Sequence, residues 1–136
     1  MNIPEELHYT KEHEWARIEG DIAVVGITDY AQDKLGDIVF VELPEPGTEV
    51  TQVVEADENA TGFGTIEAVK AVADLYPPMS GEIVEVNTNL EDAPETVNQD
   101  PYGEGWMVKI KISNPDEVNN LLDSKAYQRL VEEESV

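Results

Sequence analysis

The stretch GTIEAVKAVADLYPPMSGEI, residues 64–83, decides how this chain is expected to fold. Strand-like segments at 63–68 and 71–76 lie on either side of Lys70, and this spacing predicts a β-hairpin with the lysine at or near its turn. The Pro-Pro pair at 77–78 then separates the hairpin from the next strand. An exposed lysine between small neighbours on a rigid hairpin is accessible to an enzyme that modifies its amine.

The charged residues nearest to Lys70 in the sequence are both acidic. Glu67 lies three residues before it and Asp74 four residues after it, with only uncharged residues between. The plain alternative is a surface lysine in a hairpin, with no special role. The pattern nevertheless favours acylation of Lys70, which would remove its charge and leave a long tether.

A short repeat indicates two half-sheets. Gly-Asp-Ile at 36–38 and Gly-Glu-Ile at 81–83 each open a β-branched strand, predicted at 37–43 and 81–87, and these strands lie on either side of Lys70. Two similar half-sheets with the lysine between them predict a flattened barrel or sandwich. Because Gly-acid-Ile is also a favourable strand start in its own right, the repeat carries little of the argument.

Other segments complete a mostly β pattern with a short internal helix. Residues 13–27 read as two strands around a turn, and 28–36 as a short helix capped by a threonine and ended by a glycine. Residues 106–112 alternate with period two, as a half-buried strand does. Residues 53–62 fit neither a strand nor a helix and predict an acidic surface loop.

The C-terminal segment changes to a helical pattern. Asn114 is suited to an N-cap and Pro115 to the first helical position, so helices are predicted at about 114–134. We expect a single domain over 1–136, with its β-rich body at about 7–112.

Composition excludes several classes of function. The 136 residues carry 8 Lys+Arg and 30 Asp+Glu, a formal net charge of −22, so nucleic acid and anionic membranes are not expected partners. Adaptation to a saline cytoplasm is an alternative reason for this acidity.

The absence of cysteine excludes a disulfide scaffold, a cysteine-ligated metal and a cysteine nucleophile. Without a signal peptide or membrane-spanning stretch, we expect a cytoplasmic protein, or one in an organelle matrix after loss of a presequence.

Catalytic patterns are missing as well. His8 and His13 are the only histidines, and no nucleophile-elbow or phosphate-loop motif accompanies them. A structural, hydrogen-bonded role for both is the simpler interpretation. We therefore expect neither a metal site nor an independent enzyme.

Three long segments resemble one family. They are YTKEHEWARIEGDIAVVGITDYAQDKLGDIVFVELPEPG (9–47), EAVKAVADLYPPMSGEIVEVN (67–87) and PYGEGWMVKIK (101–111). In this order they are similar to the H proteins of the glycine cleavage system, and the similarity covers nearly the whole chain.

The resemblance implies a lipoyl-domain fold with lipoate attached to a hairpin lysine. The family motif Glu-Ser-Val-Lys-Ala falls on residues 67–71, so Lys70 is the expected lipoyl-lysine. The resemblance also implies that the arm visits three partners: glycine decarboxylase (P protein), aminomethyltransferase (T protein) and dihydrolipoamide dehydrogenase (L protein). The expected role is a monomeric, non-catalytic carrier of the aminomethyl group of glycine.

Other site residues follow from the same resemblance. Glu14 and Asp74 match family positions in the cleft that receives the loaded arm, and ordinary surface acids are their alternative. Glu67 and Asp74 are expected to be recognised by a lipoate ligase or octanoyltransferase. The chain departs from the family by having Ala68 and Ala73 where serine is common, and segment 53–60 resembles an insertion that alters docking or shields the cleft.

Rival functions make different demands on the sequence. A biotin carrier would have methionines where Val69 and Ala71 stand. A lipoyl domain of a 2-oxoacid dehydrogenase would belong to a longer chain with linkers. A stand-alone octanoyl or lipoyl relay keeps the family and changes the task, and an unmodified acidic interaction module would never be acylated at Lys70.

Overall fold

The computed structural model describes residues 2–134, which form nine β-strands in two sheets with short helices around them. The strands are β1 (His8–Tyr9), β2 (Glu14–Glu19), β3 (Ile22–Ile27), β4 (Ile38–Glu42), β5 (Glu49–Val50), β6 (Gly64–Ala68), β7 (Val72–Leu75), β8 (Gly81–Val86) and β9 (Val108–Ile112). The helices are α1 (Asp29–Leu35), α2 (Asn89–Asp92), α3 (Thr96–Gln99), a 3-10 helix (Pro115–Asn120) and α4 (Ser124–Glu134).

The two sheets differ in size. Six strands follow one another in the order β1-β2-β3-β9-β8-β5, and three in the order β4-β6-β7. All neighbouring strands are antiparallel. The mostly β fold predicted from the sequence is confirmed as a two-sheet sandwich that does not close into a barrel. The two strands of the short repeat, predicted at 37–43 and 81–87, fall in different sheets as β4 and β8.

One hydrophobic core joins the sheets. Ile66 and Leu75 of the smaller sheet belong to the same buried cluster as Val25, Ile83 and Ile110 of the larger one. In β6 and β7 of the smaller sheet, inward-facing residues alternate with exposed ones, as expected when only one face of an antiparallel sheet is buried. The core therefore fixes which side of these two strands faces solvent, whereas β3 of the larger sheet is buried on both faces.

The β6–β7 hairpin is the element predicted from the opening stretch. Its strands pair with Glu67 opposite Val72 and Ile66 opposite Ala73, and the Ala68 N–H donates to the Ala71 carbonyl at 2.8 Å. The strand predicted from residue 71 begins at Val72, since Ala71 closes the turn. The predicted hairpin is thus present, with a two-residue tip.

A second, aromatic-rich cluster holds the C-terminal helix. Tyr9 and Tyr127 stack with ring centroids 4.6 Å apart. Tyr9 and Leu122 exchange two backbone hydrogen bonds of 2.8 Å, which tie the tail to β1. The Asn114 side chain accepts from Asp116 N–H, as predicted for an N-cap, but the helix it starts is of the 3-10 type.

Several short elements were not predicted. Strands β1 and β5 have two residues each, and helices α2 and α3 have four residues each and lie between β8 and β9. Each of these two helices buries one apolar side chain, Leu90 or Val97. Segments of this length carry no periodic signal, so tertiary packing alone selects them.

The acidic segment 53–62 forms no strand or helix, as predicted. It lies against the turn before β2, where Lys11 N–H donates to the Val54 carbonyl at 2.9 Å and Ala56 N–H donates to Glu12 Oε2 at 3.0 Å. Within residues 2–134, no helix is long and apolar enough to cross a membrane.

Replacing Ile66 by alanine tests whether the core fixes the hairpin. Ile66 is fully buried, and removal of such a side chain leaves a cavity, so we expect a loss of about 2–5 kcal/mol in the free energy of unfolding. Chemical denaturation of the Ile66→Ala variant measures this loss. Val72→Ala, on the exposed side of the same hairpin, is the control, with an expected loss below about 1 kcal/mol. Equal losses in the two variants would contradict the assignment of faces.

Candidate functional site

Val69 and Lys70 form the tip of the β6–β7 hairpin, and both are exposed. The tip is anchored by the Val69 N–H, which donates to the Asp37 carbonyl at 3.0 Å. None of the ion pairs within residues 2–134 involves Lys70. Its ammonium is therefore free on a fixed backbone, which is the situation that modification of Nζ requires.

The side chain of Lys70 lies over the end of α1. Gly36, which follows α1, has φ of +82°, and its N–H closes the helix on the Gln32 carbonyl at 3.0 Å. A Cβ at position 36 would lie 3.3 Å from Cδ and Cε of Lys70. Glycine thus serves two purposes here, since it permits the left-handed backbone and leaves room for the lysine stem.

A cleft of about 310 Å³ lies beside this position, between α1, β7 and the turn before β2. Its lining is apolar at the base and charged at the rim. The apolar side chains are those of Ile27, Ala31, Leu35, Ile66, Ala73 and Leu75. The titratable ones are those of Glu12, His13, Glu14, Tyr30, Lys34, Asp74 and Glu134.

Glu14 is the buried carboxyl group of this cleft. Its exposed fraction is 2%. The Thr10 hydroxyl donates to Oε1 at 2.6 Å and the Tyr76 N–H donates to Oε2 at 3.2 Å. Burial raises the pKa of Glu14 to about 8, although both hydrogen bonds act in the opposite direction. No ion pair within residues 2–134 involves Glu14. The raised pKa therefore favours the protonated, uncharged carboxyl in the empty cleft, and a cation entering the cleft would favour its ionised form.

The two other predicted acidic residues lie in different places. Asp74 is exposed at the cleft rim, with its Oδ2 3.5 Å from the Tyr76 hydroxyl. Glu67 is exposed on the outer side of the hairpin and does not line the cleft. Glu14 and Asp74 therefore line one cleft and Glu67 lies outside it, while Asp74 shares the outer face of the hairpin with Glu67 and lies where that face meets the cleft rim.

His13 joins the cleft to the C-terminal helix, a role that the sequence did not reveal. It has a positive φ of 72°. Its Nδ1 lies 2.8 Å from the Tyr127 hydroxyl and its Nε2 3.1 Å from Glu134 Oε1. The predicted structural role of His13 agrees with these contacts, but its partners lie more than a hundred residues away, so no local pattern could identify them.

Lys34 and Glu12 also reach the rim. Lys34 Nζ lies 5.5 Å from the centre of the Tyr30 ring, a cation–π distance. Glu12 accepts the hydrogen bond from Ala56 described above, so the acidic segment borders the cleft through this residue. Within residues 2–134 no group of three His, Cys, Asp or Glu side chains is arranged to hold a metal ion.

Comparison with known proteins identifies the family. A family model described as "Glycine cleavage H-protein" matches residues 7–134. The chain belongs to the glycine cleavage H-protein family. A glycine cleavage system H protein from Symbiobacterium thermophilum is 57% identical over 132 residues, covering 97% of this chain and 98% of that protein. One from Rubrobacter xylanophilus is 59% identical over 132 residues, covering 97% of each.

A solved structure agrees with this assignment. The crystal structure of a glycine cleavage system H protein from Mycobacterium marinum superposes with a TM-score of 0.80 at 38% identity, covering 98% of this chain and 100% of that one. The family consists of lipoyl carriers of the glycine cleavage system, and this carrier role is the function of the chain. It was predicted by the resemblance drawn from the sequence and is confirmed.

The burial of Glu14 predicts a specific dependence of stability on pH. Because the folded protein favours the protonated carboxyl, the contribution of Glu14 is fully present below the pKa of an unfolded glutamate and is lost as the pH rises through about 8. A glutamine at position 14 does not titrate, so the Glu14→Gln variant lacks this loss. Its melting temperature minus that of the protein without substitutions should therefore increase as the pH rises from about 5 to about 9. Thermal unfolding across this range measures the difference.

The control for this measurement is Glu67→Gln, which removes one negative charge from an exposed position on the β6–β7 hairpin. It corrects for the general effect of lowering the net charge. After this correction, the difference in melting temperature between the Glu14→Gln variant and the protein without substitutions should change with pH. A difference that stays constant would show that Glu14 titrates as a solvated carboxyl.

Proposed function

We propose that lipoate is attached to this carrier as an amide of Lys70 Nζ, and that the cleft beside α1 receives the loaded arm. The observation that carries the proposal is the position of the Lys70 stem over Gly36, one residue beyond Leu35, which lines the cleft. The residues present fit the group, because the amine is exposed and the cleft offers an apolar base beneath its acidic rim. When bound, lipoate would supply a cyclic disulfide that is reduced as it accepts the aminomethyl group of glycine and is left as a dithiol, to be reoxidised, once that group is released.

The acidic residues of the cleft supply the electrostatic part. Glu14 is poised to ionise opposite an ammonium, because a cation within a few ångströms offsets the desolvation that raises its pKa. Asp74 at the rim would add a second, solvent-screened attraction. The apolar base formed by residues such as Ile66 and Leu75 excludes water from the same space. Together these groups would hold an amine cargo and shield it from hydrolysis.

The partners follow from the family. We propose that the carrier serves glycine decarboxylase, aminomethyltransferase and dihydrolipoamide dehydrogenase in turn, and that a lipoate ligase or octanoyltransferase modifies it, with Glu67 and Asp74 among the groups that this enzyme contacts. The chain itself would hold and present its cargo and leave bond making to the partners.

The net charge of −22 supports rapid encounters with basic partner surfaces. The bacterial origin of the relatives named above supports a cytoplasmic location.

Modification at Lys70 is testable by intact mass. Incubation with a lipoate ligase, ATP and lipoate should add one lipoyl increment, and peptide mapping should place it on the peptide that contains Lys70. Lys70→Arg should abolish the increment, because a guanidinium is a much poorer nucleophile at neutral pH. Lys34→Arg makes the same change at the cleft rim and should leave the increment unchanged. An increment that persists in Lys70→Arg would overturn the attachment site.

Protection of the cargo by the cleft is testable after complete modification. The protein is loaded by glycine decarboxylase and glycine and then separated from the enzyme, and release of formaldehyde is followed without aminomethyltransferase. We expect Glu14→Gln to release formaldehyde about tenfold faster or more, because a buried charge-assisted hydrogen bond is lost. Asp74→Asn, at the exposed rim, should have a smaller effect.

Glu67→Gln is the matched control for this experiment, since it removes a carboxylate from the same hairpin outside the cleft. Its release rate should equal that of the unmodified sequence. If all three variants release formaldehyde at the original rate, the cleft does not protect the cargo, whereas attachment at Lys70 is judged separately by mass.

A further inference from the structure

The outer face of the three-stranded sheet carries an unusual row of side chains. Phe40 on β4 pairs with Glu67 on β6, which pairs with Val72 on β7. Paired residues of neighbouring strands point to the same side of a sheet, and Ile66, next to Glu67, points into the core. Phe40 and Val72 therefore lie on the solvent side, on either side of Glu67.

These apolar residues are well exposed. The exposed fraction is 44% for Phe40 and 67% for Val72. Val39, at an irregularity of β4, and Val69, at the hairpin tip, are also exposed. Residues 2–134 contain five large hydrophobic residues that are exposed. Four of them lie on β4, on β7 or at the hairpin tip, and the fifth, Val84, lies on the other sheet. A solvent-facing sheet surface is normally polar, so this concentration indicates a surface that becomes covered.

The charges of the same face have one sign. The next row along the sheet pairs Glu42 with Thr65 and Thr65 with Asp74. Strands β4, β6 and β7 contain no lysine or arginine. An apolar pair with glutamates and an aspartate around it is complementary to an apolar recess flanked by lysine or arginine.

We propose that this outer face, centred on Phe40 and Val72, is the docking surface for the enzyme that acylates Lys70, and that this enzyme presents an apolar recess with basic residues at its border. The inference rests on the proposed attachment at Lys70. It adds residues that the Lys70 motif does not contain, and it assigns the outer side of the hairpin, apart from Asp74 at the cleft rim, a role distinct from that of the cleft.

The chemistry of attachment selects this partner among the others. In the step itself, Lys70 Nζ loses a proton and attacks the carbonyl carbon of an acyl adenylate. The C–N bond forms, the C–O bond to AMP breaks, AMP leaves and the nitrogen loses its second proton. Because Nζ itself must reach the acyl carbon, the enzyme has to cover the hairpin tip and the adjoining surface. Enzymes that act on the dithiol meet the far end of the arm and have no such requirement.

The test compares the kinetics of lipoylation by a lipoate ligase with ATP and lipoate. Phe40→Ser and Val72→Ser should each lower kcat/KM for the carrier, Phe40→Ser by about tenfold or more, as loss of a central apolar contact does. The effect should lie mainly in KM, since the reacting groups are unchanged. Val84→Ser is the matched control, because Val84 is an exposed valine, 40% accessible, on β8 of the other sheet.

Two further measurements separate docking from other causes. Thermal unfolding shows whether Phe40→Ser is folded, and acylation of Lys70 by a small activated ester shows whether the amine reacts normally; both should match the unmodified sequence. After complete modification, oxidation of the reduced arm by dihydrolipoamide dehydrogenase should also be unchanged in Phe40→Ser. An equal loss in this second reaction would overturn the assignment to the acylating enzyme.

The failure of the docking surface is distinguishable from failure of the proposed function. If the protein without substitutions gains no lipoyl increment, attachment at Lys70 is wrong and the docking inference falls with it. If that protein is lipoylated and the Phe40→Ser variant has the same kcat/KM, attachment stands and the docking surface is wrong.

Discussion

The burial of Ile66 and Leu75 in the core between the two sheets is the constraint on which the functional surface depends. Because side chains alternate along a strand, fixing these two residues inward fixes their neighbours outward. Glu67 and Val72 must then face solvent, and the turn between the strands, with Val69 and Lys70 at its tip, must be exposed. A slip of one residue in this hairpin would bury Glu67 and move every one of these groups to the wrong side.

The electrostatics of the cleft depend on one residue in a chain full of acids. Most of the 30 Asp and Glu side chains are solvated, and an exposed carboxylate gains little from a nearby cation. Glu14 differs because desolvation raises its pKa despite the hydrogen bonds donated by Thr10 and Tyr76. In the proposed function, the ionisation of Glu14 would therefore depend on a cation in the cleft, and this dependence would favour a positively charged cargo.

Much of the fold could be read from the sequence because its signals are local. The hairpin, the threonine-capped helix α1 and the alternating strand β9 all have their expected residues within a few positions of one another. The unpredicted strands and helices, of two to four residues, have no such pattern, and their positions are set by packing.

The candidate site divides in the same way. Lys70 was identifiable from its neighbours in the sequence, and Glu14 and Asp74 only through the family resemblance. The contacts of His13 with Tyr127 and Glu134 depend on the packing of α4 against the body, where Tyr127 stacks on Tyr9. Such long-range contacts have no signature in a single sequence, because several polar residues in the tail could be hydrogen-bond partners of His13 and no local pattern distinguishes among them.

In the proposed function, the two sides of the hairpin divide the tasks of a carrier. One side, continuous with Gly36 and the cleft, would provide space and charge for a cargo at the end of a long arm. The other, with Phe40, Glu67 and Val72, offers a surface close to the amine itself. The two tasks occur at different times, since attachment happens once and transfer happens in every cycle. In this proposal the two surfaces meet only at Asp74, which lies at the cleft rim and on the outer face, so most of each surface could satisfy its own chemical requirement without altering the other.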